Sequence, residues 1–260
     1  MRKVLLTIAF DGTHYEGWKS QRAERGVCHV IEQSWQSLAG EIPEIISSSR
    51  TDSGVHALGL CAHVVIPDHL RQMPTAKIIH ALNASLPDDV RVIDARDVAA
   101  DFHARFDAMG KEYHYHIWNA PVMNPLLRQQ AWHVPDLLDR MAMQKAASTI
   151  VGKHDFRAFT SKREGMLGDP FREVTRCEIS CTDALIKVEI AASGFLYKMC
   201  RCIVGTLIAV GRGRMSHERL IALLSGAPRE MAGMNAPAHG LTLWRVEYPQ
   251  KCLPLSRASC

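Results

Sequence analysis

Between Arg2 and Val98 the apolar pattern runs strand, helix, strand, strand, helix, strand, and that order most limits the folds open to this chain. Arg2 to Phe10 reads as a strand ending in the turn Asp11-Gly12-Thr13. Val27, Ile31, Trp35 and Leu38 recur at helical spacing. A strand then leads through Ile45-Ile46 into Arg50 to His56, and an apolar run follows from Leu58 to Ile66. Thr75 to Leu86, with Ile78, Ile79 and Leu82 apolar, predicts a second helix, and Val90 to Val98 a closing strand. The order is that of a split βαβ unit.

A second round begins at Lys111. Lys111 to Trp118 alternates as a strand, Asp136 to Val151 is an amphipathic helix, and Glu173 to Cys181 with Leu185 to Ala191 forms a hairpin across Thr182-Asp183. Phe195 to Val210 and Ser216 to Leu224 predict helices, and Leu241 to Tyr248 a last strand. The expected architecture is α+β, built from two joined ferredoxin-like halves. The halves are residues 1–105 and 106–248, and residues 249–260 form a tail.

Composition removes several alternatives. A chain of 260 residues with 47% hydrophobic and 22% charged residues is an ordinary globular sequence. Its longest apolar run, Cys202 to Val210, falls short of the roughly 20 residues that span a bilayer. The basic, then apolar, N-terminus is interrupted at Asp11 before a signal peptide develops, so a cytoplasmic protein is expected. Eight cysteines are irregularly spaced without a Cys-x-x-Cys pair, and thirteen histidines lack a His-x-x-x-His helix spacing. Reduced thiols and no metal are expected. The net charge of +4 is small, but basic residues gather at Lys19, Arg22 and Arg25, at Arg157, Lys162, Arg163, Arg172 and Arg176, and at Lys198, Arg201, Arg212 and Arg214. Such clusters suit phosphates, and equally suit solvated faces.

Ser49-Arg50-Thr51-Asp52-Ser53-Gly54-Val55-His56 holds a carboxylate two residues from a guanidinium and two from a glycine. If the incoming strand continued, Arg50 and Asp52 would share one face. Asp52 is then either presented at a strand end, where sites are commonly built, or part of a surface turn with a local ion pair worth little. On the helix from Phe195, Leu196, Met199, Ile203, Leu207 and Val210 form the core stripe, while Tyr197, Lys198 and Arg201 share another face.

Phe10-Asp11-Gly12-Thr13-His14-Tyr15-Glu16-Gly17-Trp18, Arg50-Thr51-Asp52-Ser53-Gly54-Val55-His56-Ala57-Leu58-Gly59, Lys111-Glu112-Tyr113-His114-Tyr115, His154-Asp155-Phe156, Gly194 to Gly205 and Pro237-Ala238-His239-Gly240-Leu241 resemble, in order, the blocks of the tRNA pseudouridine synthase TruA family. The resemblance covers nearly the whole chain, and it implies an α+β fold of two ferredoxin-like halves sharing a central antiparallel β-sheet with helices packed on one side. It implies that Asp52 is catalytic, that Tyr113 packs on the target base, and that Arg201 pairs with Asp52. It also implies a substrate site with Arg50, His56, Phe195 and Lys198 around Tyr113. His56 itself reads as a structural hydrogen-bonding residue. The implied partner is the anticodon stem-loop of tRNA, with uridines 38 to 40 as targets, and the implied assembly is a homodimer. Arg157 and Ala158 stand where the family usually has small hydroxyl residues, Cys202 where asparagine is common, and Gly26-Val27-Cys28 where Thr-Val-Gln is frequent.

The implied chemistry breaks the N1 glycosidic bond of uridine, turns the uracil and rejoins it through C5. No group is gained or lost and no cofactor is expected. The carboxylate acts as nucleophile at C1′ or as base at C2′, and both roles stay open. An arginine stabilises its ionised form as water is excluded. An aromatic face offsets part of the cost of unstacking the target. Two other readings are a non-catalytic RNA-binding protein or RNA chaperone on this fold, and a metal-dependent hydrolase using Asp52 with nearby histidines. A buried acid that would repel phosphates counts against the first.

Overall fold

The computed structural model describes residues 1–20, 25–161 and 168–252. Arg22, Lys162 and Arg163 of the basic clusters, and residues 253–260 of the expected tail, lie outside the described residues. In chain order the elements are β1 (Arg2–Phe10), α1 (Val27–Ala39), β2 (Ile45–Ser47), β3 (His56–Ile66), α2 (Thr75–Ser85), β4 (Val90–Val98), β5 (Gly110–Trp118), β6 (Trp132–His133), α3 (Arg140–Ile150), β7 (Gly152–Asp155), β8 (Phe171–Thr182), β9 (Leu185–Ala192), α4 (Met199–Gly211), α5 (His217–Leu224) and β10 (Leu241–Glu247). The class is α+β, as expected. Two compact units are present: Met1–Met109 with the segment from Leu243, and Gly110–Thr242. Among the described residues no helix is long and apolar enough to cross a membrane.

In the first unit β1 runs antiparallel to β3, with Arg2 opposite Ile66, and to β4, with Lys3 opposite Val98. Short β2 pairs with β3 through Ile45 and Val64. The order β4-β1-β3-β2 is that of the split βαβ unit. Period-two alternation puts Val4, Leu6 and Ile8 with Leu60, Ala62 and Val64 on one face, all buried. Ile31 and Trp35 of α1 and Ile78 and Leu82 of α2 are buried as their spacing predicts, each worth about 1.5–3 kcal/mol. The Ser34 hydroxyl donates to the Leu82 carbonyl at 2.8 Å and ties the two helices.

The opposite face is buried too, which is why β3 reads as an almost unbroken apolar run. There Leu5 and Cys61 pack with Phe102, Ala104 and Tyr248, whose hydroxyl donates to the Ala104 carbonyl at 2.7 Å. His63 accepts the Ala104 N–H at 3.0 Å through Nδ1. Desolvation, helped by Lys3 and His103 and opposed by Asp107, lowers the His63 pKa to about 4.

In the second unit the strand order is β5-β9-β8-β7, all antiparallel, with β6 parallel to β5. The β8–β9 hairpin closes at Asp183, whose φ of 54° an aspartate tolerates better than most residues. Asp139 caps α3 by accepting the Ala142 N–H, and Ser216 caps α5 by accepting that of Arg219. The Asp139 N–H also donates to the Gly211 carbonyl at 2.8 Å, which fixes the start of α3 against the end of α4.

Two local expectations are corrected. The helix expected from Phe195 begins at Met199, because Lys198 is left-handed at φ 61°. Only Arg201 of the anticipated Tyr197, Lys198 and Arg201 face is helical. The strand expected to reach Asp52 stops at Ser47. Beyond it, the Ser48 N–H makes one more bond, to the Cys61 carbonyl at 2.7 Å, and the chain leaves the ladder.

Candidate active site

Asp52 sits in a loop fixed by several backbone hydrogen bonds. The Val55 N–H donates to the Asp52 carbonyl at 3.2 Å, closing a turn with Gly54 at its third position and φ 76°. That conformation is open to glycine and strained for other residues. The Gly54 N–H and the Ser53 hydroxyl both donate to the Tyr15 carbonyl, at 3.2 and 3.3 Å. The Trp18 N–H donates to the Thr51 carbonyl at 3.3 Å. Gly17, at φ 89°, lies so close that a Cβ there would overlap the Thr51 carbonyl oxygen. The segment from Asp11 to Trp18 is therefore the seat of the Asp52 loop. Within this frame Asp52 is half-buried, Thr51 and Val55 are buried, and Arg50 is exposed.

His56 is buried at the start of β3, its Nδ1 3.0 Å from both the Gly12 backbone nitrogen and Asp11 Oδ1. The Gly12 N–H requires a lone pair on Nδ1, hence the tautomer with its proton on Nε2; a ring carrying its proton on Nδ1 would donate to Asp11 instead. Asp11 Oδ1 also accepts from the Thr13 N–H at 3.0 Å and the Thr13 hydroxyl at 2.6 Å. Burial alone would raise the Asp11 pKa, but the Thr13 bonds and the neighbouring His56 outweigh it and hold the carboxyl below its ordinary value. The Tyr15 hydroxyl donates to Asp89 at 2.7 Å; burial and that carboxylate push the phenol well up. These contacts of Asp11 and Tyr15 were not anticipated from the sequence. The one signal for them was the polar, glycine-flanked run from Asp11 to Gly17.

The second unit holds Tyr113, Phe195, Lys198 and Arg201. Tyr113, buried on β5, meets the half-buried ring of Phe195 edge to face, with centroids 5.0 Å apart and planes at 83°. Lys198 Nζ lies over the Tyr197 ring at 5.0 Å. The Tyr197 carbonyl accepts from the Thr160 hydroxyl at 3.0 Å and the Ser161 N–H at 3.4 Å, so the turn before α4 is tied to the segment after His154-Asp155-Phe156.

Arg201 is the sole charge in Met199–Gly211, a helix buried on most of its circumference. Placing a guanidinium there costs desolvation, which argues for an electrostatic purpose. Its Nε donates to the Ala236 carbonyl at 2.7 Å, and its own carbonyl accepts the Ala236 N–H at 2.9 Å. The next residue, Pro237, accepts the Tyr115 hydroxyl at 2.8 Å. Burial raises the Tyr115 phenol strongly, with Arg201 pulling it back. The 236–237 segment thus clamps strand β5 and helix α4 together. The segment is visible in the sequence as a block, whereas its clamping role lies in contacts between distant residues.

On the other face of β5, Glu112, His114 and Glu189 bring potential ligand atoms within 4.8 Å of one another. His114 Nε2 is 2.6 Å from Glu112 Oε1, Arg176 pairs with Glu112 and, at 3.2 Å, with Glu189, and Lys187 reaches Glu189 at 2.5 Å. Two cations already neutralise the two carboxylates, so the group does not fit a metal ion. It is an ion-pair network that braces β5 against β8 and β9.

The cysteines Cys28, Cys61, Cys177 and Cys202 are buried. Burial is the first cause that pushes Cys28 and Cys177 up to about 12 and Cys61 and Cys202 up to about 11.

A family model described as tRNA pseudouridine synthase matches residues 6–107 and 146–249. The tRNA pseudouridine synthase A of Acetivibrio thermocellus is 41% identical over 248 residues, 95% of this chain and 100% of that protein. The protein of the same name from Syntrophotalea carbinolica is 42% identical over 97% of this chain and 99% of its own length. That of Pelobacter propionicus is 40% identical over 95% and 100%. Matches of this extent, with the family model running through both the Asp52 loop and the Arg201 helix, mean that the chain belongs to the tRNA pseudouridine synthase family.

Proposed function

We propose that this isomerase converts uridines 38 to 40 of the tRNA anticodon arm to pseudouridine, with Asp52 as the catalytic carboxylate. The observation that carries the assignment is the backbone seat of the Asp52 loop, in which Gly17, Gly54 and the backbone of Tyr15 and Trp18 fix the position of the half-buried Asp52. The N1–C1′ bond of the target breaks, the uracil turns, and C5 bonds to C1′; the proton lost from C5 is balanced by one gained at N1. Asp52 serves either by attacking C1′ or by removing a proton from C2′. Arg201, fixed through Ala236, is the cation that sustains the ionised carboxylate once water is excluded. Tyr113, its ring backed by Phe195, receives the uracil, and Arg50, His56 and Lys198 complete the substrate site.

The protein acts as a cytoplasmic homodimer in this reading. Val122, Leu126, Leu137 and Met141 of the second unit are each at least 78% exposed, which supports an apolar contact between copies. Mapping pseudouridine in tRNA treated with the protein tests the assignment. Modification confined to the anticodon arm is expected, and modification only elsewhere would overturn it.

A further inference from the structure

Beside the Tyr113 site the second unit carries a surface groove lined by Lys153, Phe171, Arg172, Glu173, Ser193 and Gly194. It forms where β7 meets the start of β8, with Lys153 opposite Glu173, and where the Ser193 N–H donates to the Glu173 carbonyl at 3.2 Å. Phe171 is 48% exposed, while Phe156 and Phe159 nearby in sequence are fully buried. A phenyl ring left in water at the start of a strand is a face without a partner in the core.

The cations are placed beside it. Arg172 Nη1 donates to the carbonyls of Asp169 at 2.9 Å and Phe171 at 2.5 Å, which anchors the guanidinium at the rim. Gly194, without a side chain, leaves the approach to Arg172 open. Lys153 is exposed. One residue beyond Gly194 is Phe195, whose ring meets Tyr113. The groove therefore adjoins the target-base position along the chain itself.

We propose that this groove is a second RNA subsite, which takes a nucleotide next to the target: its base stacks on Phe171, its phosphate lies against Lys153 and Arg172, and Glu173 accepts from a 2′-hydroxyl. An aromatic face between cations is the arrangement that binds single-stranded RNA, whereas a peptide groove would need apolar walls that this one lacks. The proposal rests on the reading of Tyr113 as the residue that receives the target base.

The test measures equilibrium binding of an unmodified tRNA transcript between about 50 and 200 mM salt, with single-turnover rates at saturating tRNA and thermal melting. Phe171→Leu should weaken binding at least about 5-fold at every salt concentration, Phe171→Trp should restore it, and the saturated rate should persist. Lys153→Ala should lower the slope of log affinity against log salt by roughly one. Wild-type affinity and slope in all three variants would overturn the proposal. So would failure of Phe171→Trp to rescue, or a loss that merely follows the melting temperature. If Tyr113→Ala reacts at the wild-type rate while Phe171→Leu still weakens binding, the reading of Tyr113 fails and the groove stands as an RNA contact.

Discussion

The backbone N–H of Trp18 donates to the carbonyl of Thr51 at 3.3 Å, and this bond joins two segments that the sequence separates by a whole helix and strand. Gly17 permits it, because its φ of 89° and missing side chain let the chains touch. Gly17→Ala should therefore act on Asp52 at a distance. Strain and overlap are expected to cost about 1–3 kcal/mol in stability. Displacement of the loop should slow pseudouridine formation by on the order of 10²-fold. Single-turnover assays at a temperature well below the melting midpoint separate the two effects.

Arg201→Lys keeps the charge and removes the fork. A lysine offers no Nε–H to the Ala236 carbonyl, and an ammonium at the end of a flexible stem is not held where the guanidinium is. The saturated rate should fall by on the order of 10²-fold with tRNA affinity little changed. An unaltered rate would show that the fixed guanidinium has no part in the reaction.

His63 makes stability depend on pH. Its folded pKa of about 4 lies below the unfolded 6.5, so the folded state favours the neutral ring. The contribution of His63 is fully present above pH 6.5 and is lost as pH falls from there through about 4. Denaturant unfolding should show a declining free energy across that window, and His63→Gln, which keeps an acceptor for the Ala104 N–H, should flatten the decline.

Much of the fold was legible because the strands and helices carry their own periodicity. Val90–Val98 and Arg2–Phe10 run as the alternation and turn residues predict, and buried Ile31 and Trp35 follow helical spacing. What was not legible depends on contacts between distant segments. The helix start at Met199 is set by Lys198 at positive φ and by bonds from Thr160 and Ser161 to the Tyr197 carbonyl, neither of which has a period. The Asp52 loop looks like a continuing strand because Arg50 and Asp52 alternate, yet Tyr15 and Trp18 take over its backbone bonds. Strand β7, four residues directly after α3, is too short to announce itself. At the site, Asp52, Tyr113 and Arg201 fall within family blocks, but the clamp through Ala236 and Pro237 joins residues far apart in the sequence and leaves no local pattern.

Asp52→Asn tests the central claim most directly, because it removes the charge with almost no change of size and leaves the backbone bonds of the loop available. With an unmodified tRNA transcript, the variant should bind as the wild type does and form no pseudouridine. Wild-type formation of pseudouridine by Asp52→Asn would contradict the account.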